Sequence, residues 1–376
     1  MKPADLLSLF KESHLVKEIT GYFGIYDLRF TNDDLKNPES GTTISEPPIV
    51  NRQSSIVNRF RLHLKGLVGS SRSLVTAAAF EATTQTHLVL LQDKESAAYF
   101  FNDLQQIMGD RVYYFPSSFK RGFQTGIKDN QGLLSRTEVL NQLNSRARKF
   151  IIVSYPEAVA EKVVNKKYLE KNTLKLSVGE QVNMEFILDL LVEYEFERAD
   201  FVVEPGQFSL RGGLIDVYSF SSDHPFRIEF SGDRVATIRS FDPSSQLSIQ
   251  KMQEISIVPD IRVDAGKKIA YESIFSFLPD KAVVWLDDTG SMAHLMEKQP
   301  ASDLLLHGSE FLKSLLGFST IEFGNQFYFK TARTIAFDTS PQPSFNKNFD
   351  LLLQDLKRNT EGGYRNFLLA DNPKQA

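Results

Sequence analysis

The sequence predicts an α/β protein in which a mostly parallel sheet, flanked by helices, is interrupted by a smaller inserted α+β module with an antiparallel sheet. Two changes of hydrophobic period carry this prediction. Residues 61–153 alternate short apolar strands with amphipathic helices, which is typical of parallel sheets. Residues 201–241 instead alternate apolar and polar side chains between turns rich in Gly, Pro, Ser and Asp, which is typical of an antiparallel meander. From about residue 261 the first pattern returns.

The first part of the chain supplies most elements of the predicted parallel sheet. Residues 4–19 have helical spacing, and the polar stretch 31–53 predicts a long surface connection. Asp93 is the expected N-cap of a helix that runs to residue 108 and ends at Gly109. The remaining predicted elements are strands at 61–65, 87–91, 112–115 and 150–153, and helices at 71–82 and 132–143.

The inserted module begins near residue 171, where the pattern changes. Asn183 is expected to cap an amphipathic helix whose apolar stripe contains Met184, Ile187, Leu188 and Leu191. Strands are predicted at 201–203, 214–218, 226–230 and 235–241, with turns at 205–206, 221–225 and 231–233. Asp216 and Asp233 are expected to organise turns.

The α/β pattern of the last part predicts a helix at 270–277, a strand at 282–286, a helix at 349–356 capped by Asn348, and a strand at 367–370. Because the chain stops where a further helix is expected, we expect a fragment of a longer polypeptide. The predicted units are an N-terminal helix and linker (1–50), the first part of the α/β platform (51–172), the inserted module (173–258) and the second part of the platform (259–376).

The amino-acid composition excludes several classes of function. The 376 residues are 41% hydrophobic and 24% charged, with a net charge of −4, so the chain has no overall attraction to nucleic acid. It contains no cysteine, which excludes disulfides, thiolate zinc sites and a cysteine nucleophile. The six histidines lack metal-ligand spacing, so no metal or other cofactor is predicted. Without a signal peptide or an apolar run of about 18 residues, we expect a cytoplasmic location and no membrane contact.

The stretch GLVGSSRS, residues 66–73, has the outline of a phosphate-binding P-loop. An active P-loop follows G-x-x-x-x-G-K-[ST], because its glycines let backbone N–H groups surround phosphates, its Lys contacts the β- and γ-phosphates and its hydroxyl holds Mg²⁺. Gly66, Gly69 and Ser73 preserve the outline, but Ser71 replaces the second Gly and Arg72 replaces the Lys. The sequence therefore predicts a degenerate nucleotide site without ATP hydrolysis. Taken by itself, the stretch is also compatible with an ordinary turn between a strand and a helix.

Asp287 and Asp288 follow a predicted strand at the position where a live helicase-type motor would carry an acidic metal-binding box. Asp287 is able in principle to bind Mg²⁺, but without a P-loop Lys there is little triphosphate for the metal to bridge. A solvated pair of aspartates at a strand end is the favoured interpretation.

The inserted module resembles the nucleotide-excision-repair module shared by UvrB and bacterial transcription-repair coupling factors (Mfd). The resemblance is carried by EPGQFSLRGGLIDV at 204–217, PFRIEF at 225–230, IRSFD at 238–242 and QLS at 246–248. Further likeness to the coupling factors lies in NQGLLSR at 130–136 and TSPQPSF at 339–345. The degenerate P-loop is similar to the coupling factors and unlike UvrB, whose loop keeps the Lys. The resemblance implies a degenerate RecA/helicase-like platform.

The same resemblance implies that the module binds UvrA. Matching positions assign Arg211 and Arg227 to contacts with acidic groups on UvrA, with Glu229 on the same strand face as Arg227. Ser231 stands where many relatives have an aromatic residue that packs in this interface, so the strength of that contact is in question. Truncating either arginine is expected to weaken UvrA binding without lowering the melting temperature.

The family also implies that further regions of the full-length chain mask this face, displace RNA polymerase and translocate on DNA with ATP. The predicted function is thus recruitment of repair proteins without catalysis by these residues. Two alternatives stay open: a live ATP-binding domain in which Arg72 replaces the Lys, and a DNA-damage binding module like UvrB. The second alternative needs an aromatic hairpin, for which residues 112–131 offer few tyrosines.

Overall fold

The computed structural model describes residues 3–25, 59–118, 130–145, 149–261, 270–330, 332–341 and 343–366. Its strands form one large parallel sheet, one smaller and mostly antiparallel sheet, and two isolated pairs. Along the chain the strands are β1 (Arg61–Lys65), β2 (His87–Leu90), β3 (Val112–Tyr114), β4 (Ile151–Ser154), β5 (Val163–Val164), β6 (Leu174–Ser177), β7 (Glu197–Arg198), β8 (Gln207–Arg211), β9 (Leu214–Val217), β10 (Phe226–Ser231), β11 (Arg234–Phe241), β12 (Ser248–Met252), β13 (Glu254–Ile257), β14 (Tyr271–Glu272), β15 (Val283–Leu286), β16 (Ser319–Glu322) and β17 (Arg333–Ala336).

Helices flank the first sheet, and one helix packs on the apolar face of the second. They are α1 (Pro3–Glu12), α2 (His14–Ile25), α3 (Ser71–Glu81), α4 (Lys94–Met108), α5 (Asn130–Asn144), α6 (Pro156–Ala160), α7 (Lys166–Lys171), α8 (Met184–Glu193), α9 (Thr289–Glu297), α10 (Gly308–Leu315) and α11 (Phe349–Glu361), with short 3₁₀ turns at Gly109–Arg111 and Ile274–Ser276. In the part of the chain described here, none of the helices combines the length and the apolar character that a membrane span requires.

The first sheet has seven strands in the order β17-β1-β16-β15-β2-β4-β3, and all neighbouring pairs are parallel. The central strands β2, β4 and β15 are buried along their whole length. Continuous apolar strands of this kind are expected in a parallel sheet because helices cover both of its faces. Trp285 on β15 and Phe80 on α3 are among the largest fully buried side chains. This packing fixes the loops at the carboxyl ends of β1 and β15.

The second sheet has six strands in the order β12-β11-β10-β9-β8-β7. All its pairs are antiparallel except the short parallel pair β7–β8. On β10, Phe226, Ile228 and Phe230 are buried and the residues between them are half-exposed, so one face is apolar and the other is polar. The apolar face shares a core with Ile187 and Leu191 of α8.

Two short strand pairs connect the second sheet to the first part of the molecule. β6 pairs antiparallel with β13, with Leu174 opposite Ile257. β5 pairs antiparallel with β14, with Val164 opposite Tyr271. The segments that precede and follow the second sheet therefore lie side by side. The predicted unit boundaries at 172/173 and 258/259 fall near these pairs and stay a prediction.

The predicted fold class is confirmed, and many elements lie within a residue or two of their predicted bounds. Asp93 caps α4 by accepting a hydrogen bond from the N–H of Ser96 at 2.8 Å. Asn183 caps α8, accepting from the N–H of Glu185 at 2.7 Å, and Asn348 caps α11, accepting from the N–H of Leu351 at 3.2 Å. The predicted helix over residues 4–19 is divided into α1 and α2.

Two predicted elements are wrong. No strand forms at 201–203; the strand lies at β8, after the turn at Pro205 and Gly206, because Val202 turns inward to pack on Tyr218 and Phe241. The predicted helix at 270–277 is instead the short strand β14 and a 3₁₀ turn, since residues 271–272 pair with β5. The predicted connection at 31–53 and strand at 367–370 lie outside the described residues.

Candidate functional site

The predicted degenerate P-loop, residues 66–73, is here called the P-loop remnant; it joins β1 to α3 at the carboxyl edge of the first sheet. Gly66 has a φ of +88°, and a Cβ at this position would lie 2.1 Å from the carbonyl oxygen of Phe337, which follows β17. Glycine is therefore required here by the close approach of the neighbouring strand. Gly69 has a φ of +55° with open space around it, so its requirement is one of backbone conformation alone.

Hydrogen bonds among its own residues hold the P-loop remnant together. The hydroxyl of Ser71 donates to the carbonyl of Val68 at 2.6 Å and accepts from the N–H of Val68 at 3.0 Å. The N–H groups of Ser71 and Arg72 donate to the carbonyls of Val68 and Gly69 at 3.3 and 3.2 Å. A phosphate cradle needs such N–H groups to converge on the anion. Here they are engaged by the loop's own carbonyls.

Arg72 crosses the site to Asp287, which follows β15. Its Nη1 lies 3.2 Å from Oδ2 of Asp287, and its Nε donates to the carbonyl of Leu67 at 3.2 Å. Burial raises the pKa of the Asp287 carboxyl above its ordinary value, while the cation of Arg72 and a hydrogen bond from Gln92 act in the opposite direction. The interpretation of Asp287 as a solvated residue is wrong, because its side chain is buried against this partner.

The other predicted residues of the nucleotide site are also used within the protein. Ser73 is buried, and its hydroxyl donates to Oδ2 of Asp103 at 3.1 Å. Asp288 caps α9, accepting from the N–H of Ser291 at 3.1 Å. In front of the remnant lies a pocket of about 370 Å³, whose charged lining residues are Arg72, Asp103 and Asp287. One cation facing two carboxylates is a poor environment for a triphosphate.

The polar face of the second sheet, here called the outer face, is a regular array set by strand register. In one row Ser209 lies opposite Asp216, Asp216 opposite Arg227, Arg227 opposite Arg239, and Arg239 opposite Lys251. In the next row the cross-strand neighbours are Arg211, Leu214, Glu229 and Thr237. Direct neighbours of like charge are unfavourable in a sheet. Arg227, Arg239 and Lys251 are nevertheless direct neighbours from β10 to β12, and carboxylates of the same face lie beside the first two.

Asp216 on β9 organises this array. Its carboxylate is buried and accepts from Nε and Nη2 of Arg227, both at 2.8 Å, in a bidentate pair. The same carboxylate accepts from Nη2 of Arg211 at 2.5 Å. The hydrogen bond to Asp216 raises the pKa of Arg227, so this guanidinium stays charged. The expectation that Asp216 organises a turn is wrong, because it lies within a strand and holds two arginines.

The two arginines differ in what they offer a partner. The side chain of Arg211 is 44% exposed and that of Arg227 is 18% exposed. Arg227 also lies over the ring of Phe241, with its Cζ 4.4 Å from the centroid, and its Nη1 donates to the carbonyl of Gln246 at 3.4 Å. Arg211 thus presents its cation to solvent, while Arg227 is held by groups of the protein.

Glu229 and Ser231 lie further along β10. Glu229 faces outward as predicted, accepts from the hydroxyl of Thr237 at 3.0 Å and lies 3.4 Å from Nη2 of Arg239. Ser231 is exposed at the end of the strand, opposite Arg234. Sequence reasoning missed Asp216 and Arg239 as members of this site. The period-two pattern that assigned Arg227 to the outer face assigns Asp216 to it too, once the register of β9 and β10 is known.

Comparison with known proteins gives a family for the second sheet and its surroundings. Residues 174–262 match the model of a family described as the UvrB interaction domain. This range contains α8, the second sheet and every residue of the outer face named above. The resemblance inferred from the motifs of the inserted module is confirmed.

Similarity to whole proteins extends beyond that domain. The chain is 30% identical over 211 residues to a transcription-repair-coupling factor of Bacillus subtilis, an alignment that covers 54% of this chain and 18% of the relative. It is 27% identical over 206 residues to a transcription-repair-coupling factor of Myxococcus xanthus, covering 53% and 17%. It is 25% identical over 274 residues to the UvrABC system protein B of Gloeothece citriformis, covering 69% and 40%. The chain thus spans less than half the length of each of these relatives.

Proposed function

We propose that this chain is a non-catalytic recruitment region of a transcription-repair-coupling factor, which binds UvrA through the outer face of the second sheet. One observation carries the proposal: the residues that match the UvrB interaction domain include an ordered array of arginines on an exposed face. Arginine is enriched at the centres of protein interfaces because its planar guanidinium binds carboxylates with two parallel hydrogen bonds.

The roles of the two central arginines follow from their contacts. Arg211 is the direct ligand for an acidic group of UvrA, since its cation is exposed beside Asp216. Arg227 is a positioning residue: it neutralises Asp216 with two hydrogen bonds, so that the shared carboxylate does not fully cancel the charge of Arg211. Glu229 holds Arg239 on the neighbouring strand, and Ser231 lies at the margin of the contact.

The first sheet serves as a platform without nucleotide chemistry. The support for this lies in three contacts of the P-loop remnant: the hydroxyl of Ser71 closes on Val68, Arg72 is bound to Asp287, and Ser73 is bound to Asp103. The three side chains at the positions that end an active loop, Ser71, Arg72 and Ser73, thus each have a partner within the protein. We therefore infer that these residues do not hydrolyse ATP, and that motor activity resides in other regions of the parent protein.

The partners follow from this assignment. UvrA binds the outer face, and other regions of the full-length chain mask that face until the motor engages a stalled RNA polymerase. Contact with RNA polymerase and DNA belongs to those other regions. On its own, the present chain binds UvrA without activation.

The test is titration of purified UvrA into the wild-type chain and into Arg211→Ala, followed by calorimetry. We expect Arg211→Ala to weaken binding by about 1–3 kcal/mol and to lower the melting temperature less than Arg227→Ala does, because Arg211 is half-exposed and gives Asp216 a single hydrogen bond. The matched control is Arg358→Ala on α11, which removes an exposed arginine distant from the second sheet in the chain and should leave the affinity unchanged. Unchanged affinity for Arg211→Ala, or no binding by the wild-type chain, would contradict the proposal.

Arg227→Ala separates positioning from direct contact. It should weaken UvrA binding and also lower the melting temperature, because Arg227 supplies two of the three arginine hydrogen bonds that the buried Asp216 carboxylate accepts, whereas Arg211 supplies one. This differs from the expectation drawn from the sequence, in which both truncations spare stability. A titration of the same chain with MgATP should be flat; measurable binding would favour the alternative of a live nucleotide site.

A further inference from the structure

Four exposed apolar side chains lie along the outer face, near its arginines. These side chains, here called the apolar rim, are Phe201, Val203, Leu247 and Ile249. Phe201 is 59% exposed and Leu247 is 70% exposed. Large apolar side chains that cluster beside charged groups on a protein surface are typical of interaction sites.

The rim rests on a small buried core. Val202, Tyr218 and Phe241 form a hydrophobic cluster separate from the main core. Because Tyr218 is two residues from Asp216, this cluster lies on the outer-face side of the sheet. Val202 anchors the loop from the inside, and its two neighbours, Phe201 and Val203, are left exposed.

Gln246 joins the two segments of the rim. Its side-chain amide donates to the carbonyl of Val202 at 3.3 Å and to the carbonyl of Pro243 at 2.8 Å. Its own carbonyl accepts from Nη1 of Arg227 at 3.4 Å. Leu247 follows directly in the chain, so the 201–203 loop and the 246–249 segment are held together and to the arginine array. A surface held in place in this way loses little conformational entropy on binding.

Phe201 is also in direct contact with the arginine array. The Cζ of Arg211 lies 5.3 Å from the centroid of the Phe201 ring, within the range of a cation–π contact. On β12, Ile249 lies at an irregularity between the pairs Phe241–Ser248 and Ser240–Gln250, two residues before Lys251, and is 52% exposed. Exposed apolar groups thus lie next to the cations that the outer face presents.

We propose that the apolar rim, chiefly Phe201 and Leu247, is the hydrophobic anchor of the docking surface. Ser231, at the end of β10, supplies no apolar group to this surface. The fitting partner surface carries carboxylates for Arg211, with aliphatic or aromatic side chains beside them. This inference rests on the proposed function, in which that partner is UvrA, and it adds a second kind of contact to the cationic one.

The experiment measures UvrA binding by calorimetry for the wild-type chain, Leu247→Ala, Phe201→Ala and Arg211→Ala. Leu247→Ala should weaken binding about fivefold and Phe201→Ala about tenfold, since truncation of a buried anchor at an interface costs 1 kcal/mol or more. Leu316→Ala is the matched control, because Leu316 is 62% exposed at the end of α10 in the other part of the molecule. It should bind like the wild-type chain.

A salt series identifies the kind of contact that each variant removes. The loss caused by Arg211→Ala should shrink as salt rises from 50 to about 500 mM, because an exposed charge is screened. The losses caused by Leu247→Ala and Phe201→Ala should persist, because apolar burial is not screened. Persistence for Phe201→Ala also excludes an effect passed on through Arg211.

The outcomes separate the two proposals. If both rim variants bind within twofold of the wild-type chain while Arg211→Ala is weakened, the rim is not the anchor and the proposed function stands. If the wild-type chain does not bind UvrA, both proposals are overturned. Thermal melts of each variant serve to show that the folded chain was compared in every case.

Discussion

Arginine is paired with a buried aspartate in two regions of the molecule, and the two regions differ in the number of cations for each carboxylate. At the carboxyl edge of the first sheet, Arg72 is bound to Asp287. On the outer face of the second sheet, Asp216 accepts from both Arg211 and Arg227. The Arg72–Asp287 pair is neutral and lies in a pocket that Asp103 also lines, whereas the second arrangement leaves one positive charge, with Arg211 partly exposed.

This difference separates an internal contact from a surface suited to binding. In the first region the side chains of Ser71, Arg72 and Ser73 each have a partner within the chain. In the second region a single carboxylate, that of Asp216, pairs with two arginines. An external carboxylate can therefore bind the remaining positive charge. An arginine beside an aspartate thus does not by itself indicate a binding surface. The informative quantity is the net charge that remains after the internal pairs are counted.

The largest expected effect tests whether the glycines of the first region serve packing. Gly66→Ala should lower the free energy of unfolding by about 4 kcal/mol, because positive φ disfavours a Cβ and the new atom would overlap the carbonyl of Phe337. Gly69→Ala is the matched variant: it has positive φ with open space and should cost about 1 kcal/mol. Urea unfolding measures both. Equal losses would show that the approach of β17 does not constrain the loop.

The next effect tests the shared carboxylate of the second region. Asp216→Ala should lower the free energy of unfolding by about 3 kcal/mol, because it leaves two neighbouring guanidinium groups without their buried acceptor. Asp233→Ala, an exposed aspartate in the β10–β11 turn, is the control and should stay within about 0.5 kcal/mol of the wild-type chain. A loss of similar size in both variants would remove Asp216 from the centre of the array.

The third prediction concerns how the stability of the first sheet depends on pH. His87 is fully buried and accepts a hydrogen bond at Nδ1 from Nε1 of Trp285 at 3.1 Å. Burial lowers its pKa to about 3 from the ordinary value of 6.5. Between these values the unfolded chain binds a proton that the folded chain does not, so stability falls as the pH drops below 6.5.

The size of this fall is about 1.4 kcal/mol per pH unit. His87→Gln keeps a neutral acceptor for Trp285 without a titrating group, so the difference between its stability and that of the wild-type chain should change at this rate between pH 6 and 4.5. Urea unfolding at several pH values measures it. Parallel stability curves for the two chains would mean that His87 becomes protonated in the folded state.

The sequence predicted the layered architecture well because hydrophobic period is a local signal. The caps at Asp93, Asn183 and Asn348 were found for the same reason, since each depends on a residue and the helix start beside it. The strand predicted at 201–203 failed because Val202 is buried in a small cluster that no local pattern reveals. Its neighbours Phe201 and Val203 fit the apolar pattern of a strand, but in the structure they are exposed and belong to the apolar rim.

The sequence identified residues of the candidate site but did not predict which of them contact each other. Period two correctly placed Arg227 and Glu229 on one face of β10. The pairing of Asp216 with two arginines, and the closure of Arg72 on Asp287, join residues that are distant in the chain or depend on strand register. Such contacts are set by tertiary packing, and a single sequence does not encode them as a local motif.

The adjacency of β6 and β13 has a consequence for how such a protein can be built. Residues directly opposite in an antiparallel pair have Cα atoms about 5 Å apart, and Leu174 lies opposite Ile257 at the two ends of the second unit. A host therefore needs a gap of little more than one residue to receive it, and its removal leaves two ends that a single tight turn can rejoin. Insertion or removal of the segment between Leu174 and Ile257 therefore requires little rearrangement of the backbone on either side.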